Sequence, residues 1–265
     1  MPRARTYSTE AIIIKKTKLG EADRILTLYT PDMGKVQGVA KGVRRPKSKL
    51  SGHLELLTHS MVMLIGGRNL DTITGSQAIH SFVPLKSSLE LCACALYATE
   101  LVNLFGVDRQ ENRPLFELLL DFMQELSECE SSSASFGLLR YFEINLLKHV
   151  GYQPQLGQCV VCKQPLHEGG NCFSVASGGA ICPRCRHTQS FTYPLSTDTL
   201  RSFRCLQDGD WTSVAEISRE PRIRREMEML LRYYFRYLLE RDIRSTVWLD
   251  MLRHMNAVQR APQSI

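Results

Sequence analysis

Cys159-Val-Val-Cys162 is answered, after nineteen intervening residues, by Cys182-Pro-Arg-Cys185. This spacing constrains the fold more than any other feature of the chain. Two cysteines separated by two residues in a tight turn aim both sulfurs at one point, and a second such pair completes a tetrahedron around one ion. Pro165, Gly169, Gly170, Gly178, Gly179 and Pro183 lie between or beside the pairs and favour turns and short strands over a long helix. The pattern predicts one Zn²⁺ held by Cys159, Cys162, Cys182 and Cys185, with unliganded or redox-active thiols as the competing reading. A site closed by four thiolates leaves no position for a reacting water, so such a zinc is structural. His167 and His187 are near enough in sequence to be alternative ligands, and Cys172 reads as a bystander within the loop.

The chain has nine cysteines, and Met-Pro-Arg-Ala-Arg is not followed by the apolar stretch of an export signal. Thiols in that setting point to a reducing compartment, hence a cytoplasmic protein. No run of eighteen apolar residues is present, which argues against a membrane span. A hydrophobic fraction of 43% over 265 residues supports two or three packed domains and excludes global disorder.

Charge is unevenly distributed. Residues 1–80 carry 13 Lys/Arg against 6 Asp/Glu, residues 81–155 carry 5 against 10, and residues 156–265 carry 15 against 11. The shifts suggest boundaries near 80 and 155 and put a polyanion partner on the first segment. That segment reads as five strands, at 11–18, 24–29, 36–40, 54–65 and 70–80, with turns at 20–23, 31–34 and 66–69. Five strands in so short a span suit a small barrel of OB type, and the same spacing also suits an SH3-like barrel. From Pro84 the period becomes helical: Leu91, Ala95, Ala98, Val102 and Phe105 share one face, as do Phe136, Leu139, Phe142, Leu146 and Val150. Pro114 marks a helix start between them, and the serines of 131–135 can cap the next helix. A last helix is expected over 221–242, with Ile223, Met227, Leu230, Leu231, Tyr234 and Leu238 as its buried stripe. The resulting division is a nucleic-acid-binding barrel at 1–80, helical parts at 81–155 and 191–255, a cysteine module at 156–190 and a flexible tail at 256–265.

Two stretches carry charge in a usable pattern. Lys41-Gly-Val-Arg44-Arg45-Pro-Lys47-Ser-Lys49 holds five basic residues in nine and no acid. Gly42 and Pro46 preclude a regular helix there, so the charges ride on a loop between barrel strands, where OB folds contact nucleic acid. The plain alternative is a solvated loop. On the last helix, Arg222, Arg225, Arg232 and Arg236 fall on one narrow face opposite the apolar stripe, either as a solvated face or as a second phosphate-binding surface. Tyr29 and Phe82 offer rings for base stacking but read better as core or boundary aromatics. The chain has no phosphate-binding Gly-Lys-Ser/Thr loop, no Gly-x-Ser-x-Gly elbow and no His-Glu-x-x-His helix; Asp23 and Asp32 sit at turns, where capping accounts for them. No catalytic constellation is present, so an enzyme is not expected.

The order of these parts resembles a known family. Gly20-Glu-Ala-Asp-Arg-Ile-Leu-Thr-Leu-Tyr-Thr30, the stretch from Gly34 to Gly42 and the basic run to Lys49 are similar to the start of the bacterial recombination mediators of the RecO family. Tyr141-Phe-Glu-Ile-Asn-Leu-Leu147, leading to Gly151-Tyr-Gln-Pro154 and the first cysteine pair, resembles the same family further on, as does Leu230 to Trp248. The resemblance implies an α+β multidomain chain, with an N-terminal OB-fold barrel followed by an α-helical domain into which a four-cysteine zinc finger is inserted. It implies a non-enzymatic role in DNA repair: binding single- and double-stranded DNA, annealing complementary strands and helping to load recombinase on strands coated by single-strand-binding protein. Its implied partners are RecR and the acidic C-terminal tail of single-strand-binding protein, and its implied place is the nucleoid. Lys41, Arg44, Arg45, Lys47 and Lys49 match the family's basic loop in character. A zinc-ribbon transcription or translation factor is the alternative that the cysteines and basic barrel also fit; the acidic helical middle fits it less well.

Overall fold

A computed structural model describes residues 6–129, 131–209 and 220–252 of the chain. The expected tail at 256–265 lies outside the described residues. Packing divides the chain into two units, one running to Glu128 and resuming at Ile243, the other spanning Cys129–Asp242.

In the first unit, strands β1 (Thr6–Leu19), β2 (Asp23–Thr30), β3 (Gly34–Ala40), β4 (His59–Ile65) and β5 (Asp71–His80) close into a barrel in the order β1-β2-β3-β5-β4, with β4 pairing back to β1. Alternation builds its interior. Val62 and Leu64 of β4 point inward while Met61 and Met63 point out, and Leu26, Leu28, Val36 and Ala40 fill the core from β2 and β3. Closure depends on the parallel pairing of β3 with β5, where Gly38 lies opposite Asp71. A Cβ at Gly38 would come within 2.9 Å of the Ile73 side chain, so the missing side chain lets the two strands meet.

Two details depart from the expected pattern. The fourth strand begins at His59 and not at 54, because Leu54 lies in a short 3-10 turn (Gly52–Leu54) and is buried as a plug against the barrel core. Strand β1 carries a register shift between Ile13 and Lys15; on its other edge, Ile13 exchanges backbone bonds with Leu57 and Thr58, both 3.0 Å.

Helices α1 (Val83–Ser87), α2 (Leu89–Phe105) and α3 (Arg113–Ser127) complete this unit. The α2–α3 connection lies along the start of β3: Lys35 N donates to Val107 O (3.3 Å), Arg109 N to Lys35 O (2.9 Å), and the Lys35 ammonium to Asn103 O (3.1 Å). A buried carboxylate anchors it further. Asp71, with no solvent exposure, accepts from the Tyr7 hydroxyl, from Arg109 Nη2 at 2.7 Å and from Gly67 N at 2.9 Å. These bonds explain why the first unit ends at Glu128, although the charge balance shifts near 80. The helical segment 246–252 belongs to the same unit, with Glu100 accepting from the backbone N–H of Arg244 and Ser245 (3.0 and 2.8 Å).

The second unit contains α4 (Ser132–His149), α5 (Thr197–Gln207), α6 (Pro221–Leu239) and a three-stranded sheet in the order β7-β6-β8 (Gly179–Ile181, Cys172–Ser174, Tyr193–Pro194). Ser131 caps α4 by accepting from Ala134 N, and Ser196 caps α5 through Thr199 N. Buried on α6 are Ile223, Met227, Leu230, Leu231, Tyr234 and Phe235; Leu238 is only half-buried, and Glu240 ends the helix in a left-handed conformation. Among the described residues no helix is long and apolar enough to cross a membrane.

Candidate metal centre and basic surface

The cysteine module is held on its helices by polar clamps. The Arg204 guanidinium donates twice to Leu156 O (3.0 and 2.8 Å), Gln207 donates to Pro154 O (2.8 Å), and the Tyr234 hydroxyl to Tyr152 O (3.0 Å). Phe173 of β6 meets the Tyr234 ring edge-on at 5.5 Å, and Tyr193 of β8 stacks on Tyr233 at 4.4 Å. Within the module each cysteine pair closes a tight turn. Lys163 N returns to Cys159 O (3.0 Å), with Lys163 at a φ of 59°, and Cys185 N returns to Cys182 O (3.1 Å). Val160 N bonds to Ala180 O (2.9 Å), which brings the first turn alongside β7 and so to the second pair.

The consequence is a four-sulfur cluster. The Sγ atoms of Cys159, Cys162, Cys182 and Cys185 all lie within 4.8 Å of one another, and those of Cys162 and Cys182 are 3.8 Å apart. Four thiolates at the Zn–S distance of about 2.3 Å on a tetrahedron are separated by about 3.8 Å, so the size of the cluster is compatible with a four-coordinate ion such as Zn²⁺. Cys159 and Cys182 are buried, and Ile181, Val160 and Leu166 pack around them.

The electrostatics point the same way. Burial opposes ionisation of Cys159, yet backbone donors at Cys162, Cys182 and Val161 bring its pKa down to about 6. Desolvation, and then hydrogen bonds with Cys162, Cys182 and Cys159, push Cys185 up to about 12. One thiolate in the cluster makes the next harder to form, and a divalent cation reverses that balance by binding all four as thiolates. All nine cysteines are free of disulfides. Cys172 sits in β6, outside the cluster, and neither His167 nor His187 belongs to it.

On the barrel, the basic loop leaves β3 and is pinned at its root. Gly42, at a φ of 64°, donates its N–H to Asp23 Oδ1 (2.7 Å), Arg44 N donates to Ala22 O (2.9 Å), and Val43 is buried. Lys41, Arg44, Arg45, Lys47 and Lys49 are all exposed. The bond to Ala22 sets the loop against the β1–β2 turn, and there the structure adds cations that the sequence pattern did not single out. Lys15 and Lys18, on the part of β1 that leads into this turn, are exposed, whereas Lys16 and Arg24 are both turned to Glu55. Three lysines in four residues before a turn were the available signal; a strand assignment alone does not say that this turn meets the loop. Tyr29 and Phe82 are buried, so neither offers a face to a base. Asp32 pairs with Arg113.

On α6, Arg222, Arg225 and Arg236 are exposed and Arg232 is half-buried. Part of this charge is offset locally, since Arg232 pairs with Glu228 (3.2 Å) and Arg236 with Asp242 (3.3 Å).

Comparison with known proteins gives a consistent result along nearly the whole chain. Residues 3–82 match the family model described as recombination protein O N terminal, and residues 86–246 match that described as recombination protein O C terminal. The chain is 45% identical over 253 residues to the DNA repair protein RecO of Dehalococcoides mccartyi (strain CBDB1), covering 96% of this chain and 98% of that one. It is 41% identical over 254 residues to the DNA repair protein RecO of Roseiflexus sp. (strain RS-1), covering 96% and 88%. Against the protein of that name from Pelotomaculum thermopropionicum it is 32% identical over 246 residues, covering 93% and 94%.

Proposed function

The chain belongs to the recombination protein O family, and from that membership we propose that it is a non-enzymatic DNA-binding mediator of recombination in DNA repair. The observation that carries the reading is the five-stranded barrel with a pinned loop of five exposed cations at its rim. A strand order of β1-β2-β3-β5-β4 is what an OB-type barrel requires, and such barrels receive nucleic acid on a strand face and its bordering loops. The loop cations Lys41, Arg44, Arg45, Lys47 and Lys49, extended by Lys15 and Lys18, neutralise phosphates on single and double strands alike, because they read no base edge. Holding two strands by their phosphates lowers the repulsion between them, which is the physical contribution such a surface makes to annealing.

In this reading the four cysteines hold one Zn²⁺ as a zinc finger that fixes the module and takes no part in chemistry. The chain acts at the nucleoid in the cytoplasm, together with RecR and the acidic tail of single-strand-binding protein, and assists recombinase loading on coated strands. An acidic tail needs cations, so the α6 arginines supply the rim of its site. Binding of a labelled acidic tail peptide that is unchanged in both Arg232→Ala and Arg236→Ala would move that site elsewhere.

The deciding experiment is strand annealing of complementary oligonucleotides, bare and coated by single-strand-binding protein. The expected result is acceleration in both states, without nucleotide hydrolysis. A chain that binds DNA but accelerates neither would be a zinc-containing binding factor of another kind, and the mediator reading would fail.

A further inference from the structure

The second cysteine pair borders a cavity that the metal site does not use. A solvent-open cavity of about 570 Å³ is lined by Pro183, Arg186, His187, Gln189, Ser190, Phe191, Thr192 and Tyr193. Its volume falls within the range of about 300–1,000 Å³ usual for small-ligand sites. Phe191 is 78% exposed, the most of any large apolar residue described. A single exposed aromatic is ordinary on a protein surface. This one differs in its setting, since it stands at a cavity whose wall is fixed and whose rim is cationic. Tyr193 is stacked on Tyr233, and Gln189 Oε1 accepts from the Ser177 hydroxyl (3.1 Å), so the wall is anchored on two sides. Arg184 and Arg186 are exposed, and no acidic residue occurs between Cys182 and Thr197.

We propose that this cavity receives an unstacked base of single-stranded DNA, with Phe191 as the stacking platform and Arg186 on the adjoining phosphate. This rests on the DNA-binding reading above and adds to it a second, strand-selective site. An aromatic ring beside cations is the combination that single-strand sites use: the ring accepts any base face, and the cations follow the backbone. A base in a duplex is already stacked and paired and must first be extruded to enter a cavity, so the site favours single strands. His187, Gln189 and Thr192 offer hydrogen-bonding groups to the edge of the inserted base. An acidic peptide also suits cations near an aromatic ring; the hydrogen-bonding groups of His187, Gln189 and Thr192 beside Phe191 favour the base, whose edge they can meet.

The test uses the full-length, metal-loaded chain and fluorescence anisotropy with a labelled thymidine oligonucleotide, a labelled duplex and a labelled acidic peptide. Phe191→Ala should weaken single-strand binding by about 5- to 150-fold, leaving metal content and duplex affinity as in the parent. Phe191→Trp should retain single-strand affinity, and the fluorescence it adds should be quenched by the oligonucleotide but not by the duplex. Arg186→Ala should lower the single-strand salt slope by about 0.7. Unchanged single-strand affinity in Phe191→Ala would overturn the proposal, as would an equal loss on duplex or a loss confined to the peptide. A parent that binds no nucleic acid would refute the general reading along with this one. Binding that is weakened by Arg44→Ala and Arg45→Ala, yet indifferent to Phe191, would refute this site alone.

Discussion

Replacing Arg44 and Arg45 together by Ala removes two of the five exposed cations of the barrel loop while keeping the loop in place. Both backbone bonds at these positions, Arg44 N to Ala22 O and Arg45 N to Gly42 O, survive in alanine, and so do the Asp23–Gly42 bond and the buried Val43. Alanine at 44 does forfeit the hydrogen bond from Arg44 Nη1 to Gly20 O, which is 3.4 Å long and exposed. Its removal should change stability by no more than about 0.5 kcal/mol. The variant therefore isolates charge. Each phosphate neutralised on a single strand contributes about −0.7 to the slope of log affinity against log salt, so five neutralised phosphates give about −3.5 and three give about −2.1. Between 50 and 200 mM salt, through the loop alone, the parent should lose about 130-fold in affinity and the double variant about 18-fold. Anisotropy titrations across that range, on two oligonucleotides of different sequence, measure both slopes. The loss should be similar for the two sequences, because phosphates are being contacted and bases are not. Parallel slopes for parent and variant would refute the argument and leave the loop as a solvated surface.

Three other perturbations test the frame around these sites. Cys162→Ser should abolish stoichiometric zinc and unfold the module, because binding of roughly 10–16 kcal/mol is what closes such small sites; elemental analysis and proteolysis at 156–190 read both effects, and retained zinc at one per chain would contradict the assignment. Asp71→Ala should cost about 1–3 kcal/mol in urea unfolding, since it takes the acceptor from the half-buried Tyr7 hydroxyl while the exposed Gly67 and Arg109 turn to water. Burial alone would raise the Asp71 carboxyl, but bonds from Tyr7, Arg109 and Gly67 outweigh it and hold its pKa below the ordinary value. Its contribution is therefore present above about pH 4 and is lost as pH falls through the folded-state value, so the difference between parent and variant should shrink on acidification and not stay constant. Gly34→Ala puts a Cβ 2.0 Å from Gln110 O at a φ of +55°, and should lower stability by about 2 kcal/mol or more; an unchanged thermal midpoint would show that the α2–α3 connection is not held there.

What is local in this protein was legible in its residues. Chelation by Cys-x-x-Cys depends on the geometry of one turn, so four candidate ligands could be named from spacing, and the structure brings those four sulfurs together. Alternation and helical period located the five strands and the faces of α2, α4 and α6, because burial of one face is written into successive residues. The basic loop was legible as charge without a helix. The pairings between distant strands, β1 with β4 and β3 beside β5, emerge only in the folded chain, since backbone hydrogen bonds carry no sequence label. Folding likewise sets the basic loop against the β1–β2 turn, makes Asp71 the buried acceptor for three separate segments, and turns Leu54 into a plug where a strand residue was expected. The cavity at Phe191 belongs to the same class: its wall combines the turn after the second cysteine pair with a strand held by a stacked ring from α6, and no window of sequence contains that juxtaposition. Residues far apart along the chain become neighbours only once burial and hydrogen bonding across the whole unit outweigh the entropy of closing the loops between them.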